Sequence, residues 1–126
     1  MRLFAVALLA LVLAGTAAAG RVVGLGGNKN GESVKIDVGD ALVISLSSAS
    51  TDGWRLAAVN RQIVRPDAVT YIPALRKATV AGYGGVQVMI FAAIRRGHTV
   101  LKLNYRKAGS PSRTFMLDVT VQAAGT

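Results

Sequence analysis

From Ser33 onward, apolar residues recur at every second position, and that period decides what the chain can become. Val34, Ile36 and Val38 alternate with polar partners, Gly39-Asp40 marks a turn, and Leu42, Ile44 and Leu46 resume the pattern. A spacing of two lines one face of a strand, whereas a helix would need 3.6. Residues 86–94 (VQVMIFAAI), 99–105 (TVLKLNY) and 113–121 (RTFMLDVTV) are the strongest further strands, with RRGH and RKAGSP supplying turn chemistry between them. WRLAAV (54–59) reads as a short strand, and PDAVTYIPALRKATVA, with Pro66 and Pro73, suits an irregular connection or an edge strand. About seven short strands, with breaks every ten residues or so and no helical period, predict an all-β chain folded as an antiparallel β-sandwich. Leu42, Ile44, Val88, Ile90, Leu101, Leu103, Phe115, Leu117 and Val119 are the expected core, and Phe91 reads as core as well.

The first twenty residues have a different logic. MRLFAVALLALVLAGTAAAG holds one early cation, Arg2, an apolar stretch from Leu3 to Leu13, and then small residues. Residues 1–19 read as a signal peptide, with Ala17-Ala18-Ala19 offering the small-x-small pattern a signal peptidase cuts after. The apolar stretch is shorter than the roughly 20 residues a spanning helix needs, so an uncleaved anchor is the weaker alternative. The chain is expected to be exported, to a periplasm or outside the cell, without a stable membrane span after cleavage. Residues 20–32, rich in glycine and asparagine, are expected as a flexible lead-in, and residues 33–126 as one sandwich domain. A length of 126 residues, 52% of them hydrophobic, allows one domain with a real core. A monomer is expected.

Most catalytic chemistry is excluded by what is missing. With no cysteine there is no disulfide framework, thiolate metal site or cysteine nucleophile. His98 is the only histidine, sits in the turn-like RRGHTV, and has no G-x-S-x-G serine to serve. One histidine without cysteine falls short of a structural zinc site. The six acidic residues are scattered, and Asp37 and Asp40 flank a single turn. The chain is therefore read as no enzyme, with no metal and no cofactor. The net charge of +9 favours anionic partners, but nucleic acid is not expected: the cations fall into small groups (Arg76-Lys77, Arg95-Arg96, Arg106-Lys107) rather than a continuous basic face interleaved with aromatics.

Three connecting segments carry the functional signal. SSASTDGW (47–54) joins two strands, AGYGG (81–85) precedes a third, and YRKAGSP (105–111) joins the last two. Alternate connections of a sandwich cluster at one end, so these three can form one binding edge. Gly82-Tyr83-Gly84-Gly85 matches a Gly-x-Gly-Gly pattern in full. Thr51, Gly53 and Trp54 match three positions of an Asn-Pro-Thr-Thr-Gly-aromatic pattern, with Ala49, Ser50 and Asp52 departing from it. Tyr105 fits the tyrosine that ends a strand before an Arg-Pro-Trp loop, while Arg106-Lys107-Ala108-Gly109 lacks that proline and tryptophan. In their order, from about Val34 to Val121, these segments resemble the chagasin-type inhibitors of papain-like cysteine proteases.

The resemblance implies an immunoglobulin-like sandwich that inhibits papain-like cysteine peptidases reversibly by wedging three loops into the active-site cleft. It implies that Thr51, Asp52 and Gly53 lie near the catalytic cysteine and histidine of the target, and that Trp54 holds the loop's base. It further implies that Gly82, Tyr83, Gly84 and Gly85 lie along the cleft wall, with Arg106 and Lys107 on the third loop. The alternative from another class is a non-inhibitory module that uses the positive charge to hold an anionic envelope component or an acidic protein.

Overall fold

A computed structural model describes residues 20–49, 53–73, 84–106, 109 and 112–124. The expected signal peptide, residues 1–19, lies outside the described residues. Eight strands follow in chain order: β1 Val22–Gly26, β2 Glu32–Asp37, β3 Ala41–Ser48, β4 Trp54–Ala58, β5 Val64–Ile72, β6 Gly85–Ala93, β7 Gly97–Tyr105 and β8 Arg113–Gln122. They make two four-stranded sheets, one ordered β1-β3-β6-β5 and the other β2-β8-β7-β4. Each sheet is antiparallel except at one edge, where β1 lies parallel to β3 and β2 parallel to β8. The expected all-antiparallel sandwich is thus a pair of mixed sheets. The parallel pairs arise because the chain passes from β1 to the other sheet and back before laying down β3, the crossover that parallel neighbours require.

The alternation read from the sequence fills the space between the layers. Ile36, Leu42, Ile44, Leu101, Leu103, Phe115, Leu117, Val119 and Val121 are all buried. β6 departs from the expectation: Gln87, Met89, Phe91 and Ala93 point inward, while Val88 and Ile90 are on the outer face and only half-buried. Its run is apolar in both phases, so the period could not choose between them. The register with β3, which places Phe91 opposite Leu42 and Met89 opposite Ile44, does.

Residues 20–32, expected as a flexible lead-in, instead carry β1, a 3-10 turn at Gly27–Lys29 and the start of β2. Val23 and Leu25 pack on the core from β1, and the Asn30 side chain takes the place of a strand neighbour for β8. It accepts from Met116 N–H at 2.8 Å and donates to Thr114 C=O at 3.2 Å. β5 is the edge strand that its prolines allow, with the register slipping between Pro66 and Ala68.

The β2–β3 turn is built on Gly39, whose φ of 97° only glycine adopts readily. Beside it the Asp40 carboxylate, 3% exposed, accepts N–H groups of Arg21 and Asp37, each at 2.8 Å, and the Arg21 guanidinium at 3.1 Å. His98, expected in a turn, is the second residue of β7 and pairs with Asp118 on the exposed face of its sheet.

Candidate functional site

Six strand ends meet at one pole of the sandwich, and from them the β3–β4, β5–β6 and β7–β8 connections emerge. In one sheet Ser48 pairs with Gly85 and Ile72 with Val86; in the other Trp54 pairs with Tyr105. The three segments predicted to converge do so at their bases. Thr51, Asp52, Gly82, Tyr83 and Lys107, which were expected at or near the tips, lie outside the described residues.

A set of cross-ties joins the bases. Arg106, exposed at the start of the third loop, donates its backbone N–H to Gly53 C=O at 2.9 Å, which links that loop to the end of the first. The Tyr105 hydroxyl accepts Ala49 N–H at 3.3 Å, tying the start of the first loop to β7. Trp54 Nε1 donates to Ser47 C=O at 2.8 Å, so the indole bridges the two sides of the first loop. Tyr71 reaches across from β5, its hydroxyl accepting Gly85 N–H at 2.9 Å.

The joint between the sheets is Gln87. Its side chain is 1% exposed; Oε1 accepts Trp54 N–H at 2.9 Å and Nε2 donates to Trp54 C=O at 2.8 Å. One amide thus satisfies both backbone groups at the residue where the first loop enters β4, from a strand of the opposite sheet. Buried backbone groups without such partners are costly, so the pair holds the exit of the first loop against the start of β6. Gln87 is not among the residues expected at the site from sequence, although a lone amide in an apolar run is a visible signal. It became informative only once the inward phase of β6 was known.

Trp54 is 6% exposed and forms the floor of this pole rather than its surface. Its ring packs on Tyr105 at 5.1 Å between centroids, tilted by 53°. The Arg113 guanidinium lies over both rings, 4.2 Å from the Tyr105 centroid and 5.3 Å from that of Trp54. Such stacking rigidifies the floor, and a guanidinium over an aromatic face adds an electrostatic attraction. The role expected of Trp54, holding the loop's base, is the one its geometry serves.

The glycines pack against the chain itself. A Cβ on Gly84 would lie 2.5 Å from Ser48 O and 2.7 Å from Ala49 Cα, both backbone atoms of the first loop's base. One on Gly85 would run into Ile72 O and come within 2.7 Å of Pro73 Cα. Gly53 similarly faces the Tyr105 ring and the Ser48 hydroxyl. Close approach, not a left-handed φ, is what these positions require. At Gly84 and Gly85 the approaching backbone belongs to this molecule.

The pole is electropositive among the described residues. Arg106 and Arg113 stand on it, while the described carboxylates, Glu32, Asp37, Asp40, Asp67 and Asp118, lie away from it along the strands or at the far end. No group of three or more metal-ligating side chains occurs among the described residues, and no described helix is long and apolar enough to cross a membrane. What the pole offers is a stiff platform carrying three loops.

A family model described as chagasin family peptidase inhibitor I42 matches residues 35–121, well over half of the chain. The chain belongs to the chagasin family. It is accordingly a peptidase inhibitor and not an enzyme, and the two mixed sheets are the family's immunoglobulin-like sandwich. Solved structures share the chagasin fold at low identity. The cysteine protease inhibitor EhICP2 from Entamoeba histolytica superposes with a TM-score of 0.66 at 15% identity, over 81% of this chain and 96% of that one. Amebosin gives a TM-score of 0.62 at 24% identity, over 79% of this chain and 97% of that one. PbICP-C, solved in complex with falcipain-2, gives 0.51 at 15% identity, over 87% of this chain and 96% of that one. No curated protein sequence matches the chain.

Proposed function

We propose that this member of the chagasin family blocks papain-like cysteine peptidases reversibly, by seating its three polar loops in the active-site cleft. The observation that supports this most is the convergence of three loop bases, tied by the Arg106–Gly53, Ala49–Tyr105 and Gln87–Trp54 hydrogen bonds. Loops anchored on a stiff floor lose little conformational freedom on binding, which lets a small surface bind tightly. PbICP-C, a protein of the same fold, has been solved bound to falcipain-2, and the sequence motifs shared with the family fall on the same three loops.

In this reading Thr51, Asp52 and Gly53 approach the catalytic cysteine and histidine, Gly82 and Tyr83 lie against the wall of the cleft, and Arg106 and Lys107 meet its rim. Gly84, Gly85 and Trp54 act one layer below, setting the height and angle of the loops. The inhibitor is not cleaved. The segment 1–19 directs export and is removed, so the inhibitor meets its target in the periplasm or outside the cell.

Titration of the processed protein into papain tests the proposal. Competitive, reversible loss of activity, with intact inhibitor recovered afterwards, is expected. Absence of inhibition at micromolar concentration, together with salt-sensitive binding to an anionic polymer, would favour the envelope-binding alternative instead.

A further inference from the structure

The outer faces of the two sheets differ in kind. On the β2-β8-β7-β4 sheet the outward residues include Lys35, Asp37, Arg55, His98, Lys102 and Asp118, a mixed and charged solvent face. On the β1-β3-β6-β5 sheet the centre is Val43, Val86, Val88 and Ile90, flanked by Val22 on one edge strand and Ile72 on the other. Val22 is 74% and Ile72 50% exposed. The remaining outward positions of this sheet are alanine, glycine, serine and threonine, with one ionic side chain, Arg65, at a corner and paired with Asp67. The outward phase of β6 is as apolar as its inward phase, a pattern typical of strands covered on both faces.

We propose that this face pairs with the same face of a second copy, giving a two-fold dimer of sandwiches stacked through their β1-β3-β6-β5 sheets. Charge selects the occupant. The chain carries a net charge of +9, one less after loss of Arg2, so two copies repel unless they meet where cations are absent. An acidic partner would be drawn to the cationic faces, not to this one. Shape points the same way. Short β-branched and small side chains make a flat surface with no aromatic or long side chain to insert into lipid, and a flat sheet packs best on another at about 10 Å separation. A face matched to itself satisfies a two-fold interface without further design.

The size sets the strength. Four strands of about 4.8 Å spacing and about eight residues at 3.3 Å give a face of about 500 Å² per copy. The total of about 1,000 Å² is at the lower bound for a specific interface, so the dimer forms in the micromolar range or above and departs from the monomer expected from sequence. The bases of the three loops lie at one end of the strands, so each copy keeps its inhibitory pole.

Sedimentation equilibrium of the processed protein, from micromolar to millimolar, is the test. The mass should double across that range. Val88→Lys should leave the melting transition within the range of surface substitutions and weaken association by about a hundredfold or more, because the two copies of the new cation face each other across the axis. Val43→Glu is a second variant should Val88→Lys not fold. Val100→Lys, on the outer face of the other sheet, should leave the association unchanged. A monomer at all concentrations overturns the proposal. So does a dimer lost in Val100→Lys but kept in Val88→Lys, which would place the contact on the other sheet. Binding of the monomer to anionic vesicles through Val88, or a loss of papain inhibition in Val88→Lys with no change in mass, would assign the face to a different partner and also overturn it.

Discussion

Gln87→Met isolates the joint between the sheets. Methionine has nearly the length and volume of glutamine and no polar atoms to meet Trp54, so the substitution removes both hydrogen bonds with little change in packing. Trp54 N–H and C=O, now at 2.9 and 2.8 Å from the amide, would be left buried without partners. An unsatisfied buried group costs about 1–3 kcal/mol. Two of them, offset by no longer burying the glutamine amide, give a loss of about 3 kcal/mol. For a domain of this size that lowers the melting temperature by about 10–15 °C. Trp54 is the only tryptophan, so its fluorescence reports this joint directly while circular dichroism follows the sheets. The variant should also inhibit less well than the parent even where fully folded, because the exit of the first loop is released. Gln87→Glu gives a second check with a definite sign. Only the protonated carboxyl can donate to Trp54 C=O, so burial raises the pKa of the introduced acid above its unfolded value near 4.3. Relative to the parent, its penalty should be absent below about pH 4 and grow as pH rises. A melting shift below about 3 °C for Gln87→Met, with an unchanged tryptophan spectrum, would mean that this amide does not hold the two layers together.

Three other substitutions separate floor from loops. Gly84→Ala forces a Cβ to within 2.7 Å of the Ala49 backbone; papain inhibition should weaken by about tenfold or more while the sandwich still melts cooperatively, as read by titration and calorimetry. Arg113→Gln removes the cation over two rings and should destabilise by about 1 kcal/mol, with Arg113→Lys recovering part of it, measured by urea denaturation. Asp40→Asn weakens a buried carboxylate that accepts three N–H groups and should destabilise by about 2–4 kcal/mol without affecting inhibition, because Asp40 is at the opposite pole from the loops.

Much of the fold was legible because its strands obey period two. The strongest predicted strands, 86–94, 99–105 and 113–121, are β6, β7 and β8 to within two residues at each end. β1 was not legible: Val22, Val23 and Leu25 sit among glycines, and only the edge of β3, far off in sequence, gives them a partner. The phase of β6 was hidden for a related reason. When both faces of a strand are apolar, long-range pairing chooses the face, and here it turned Gln87 inward and Val88 and Ile90 outward. At the site, the role of Trp54 at the loop's base was readable, but the glycine positions were readable without their work. Gly84 and Trp54 act on the chain's own backbone and rings, through contacts made across the two sheets that local sequence does not announce.

The crystal structure of the processed protein bound to an inactivated papain-like peptidase would show whether the three loops enter the cleft together. The segments around Thr51, Tyr83 and Lys107 should lie side by side in the cleft, with Trp54 and Gln87 beneath them and out of contact with the enzyme. A complex held through a sheet face, or one in which a single loop enters the cleft while the other two point away, would contradict this arrangement.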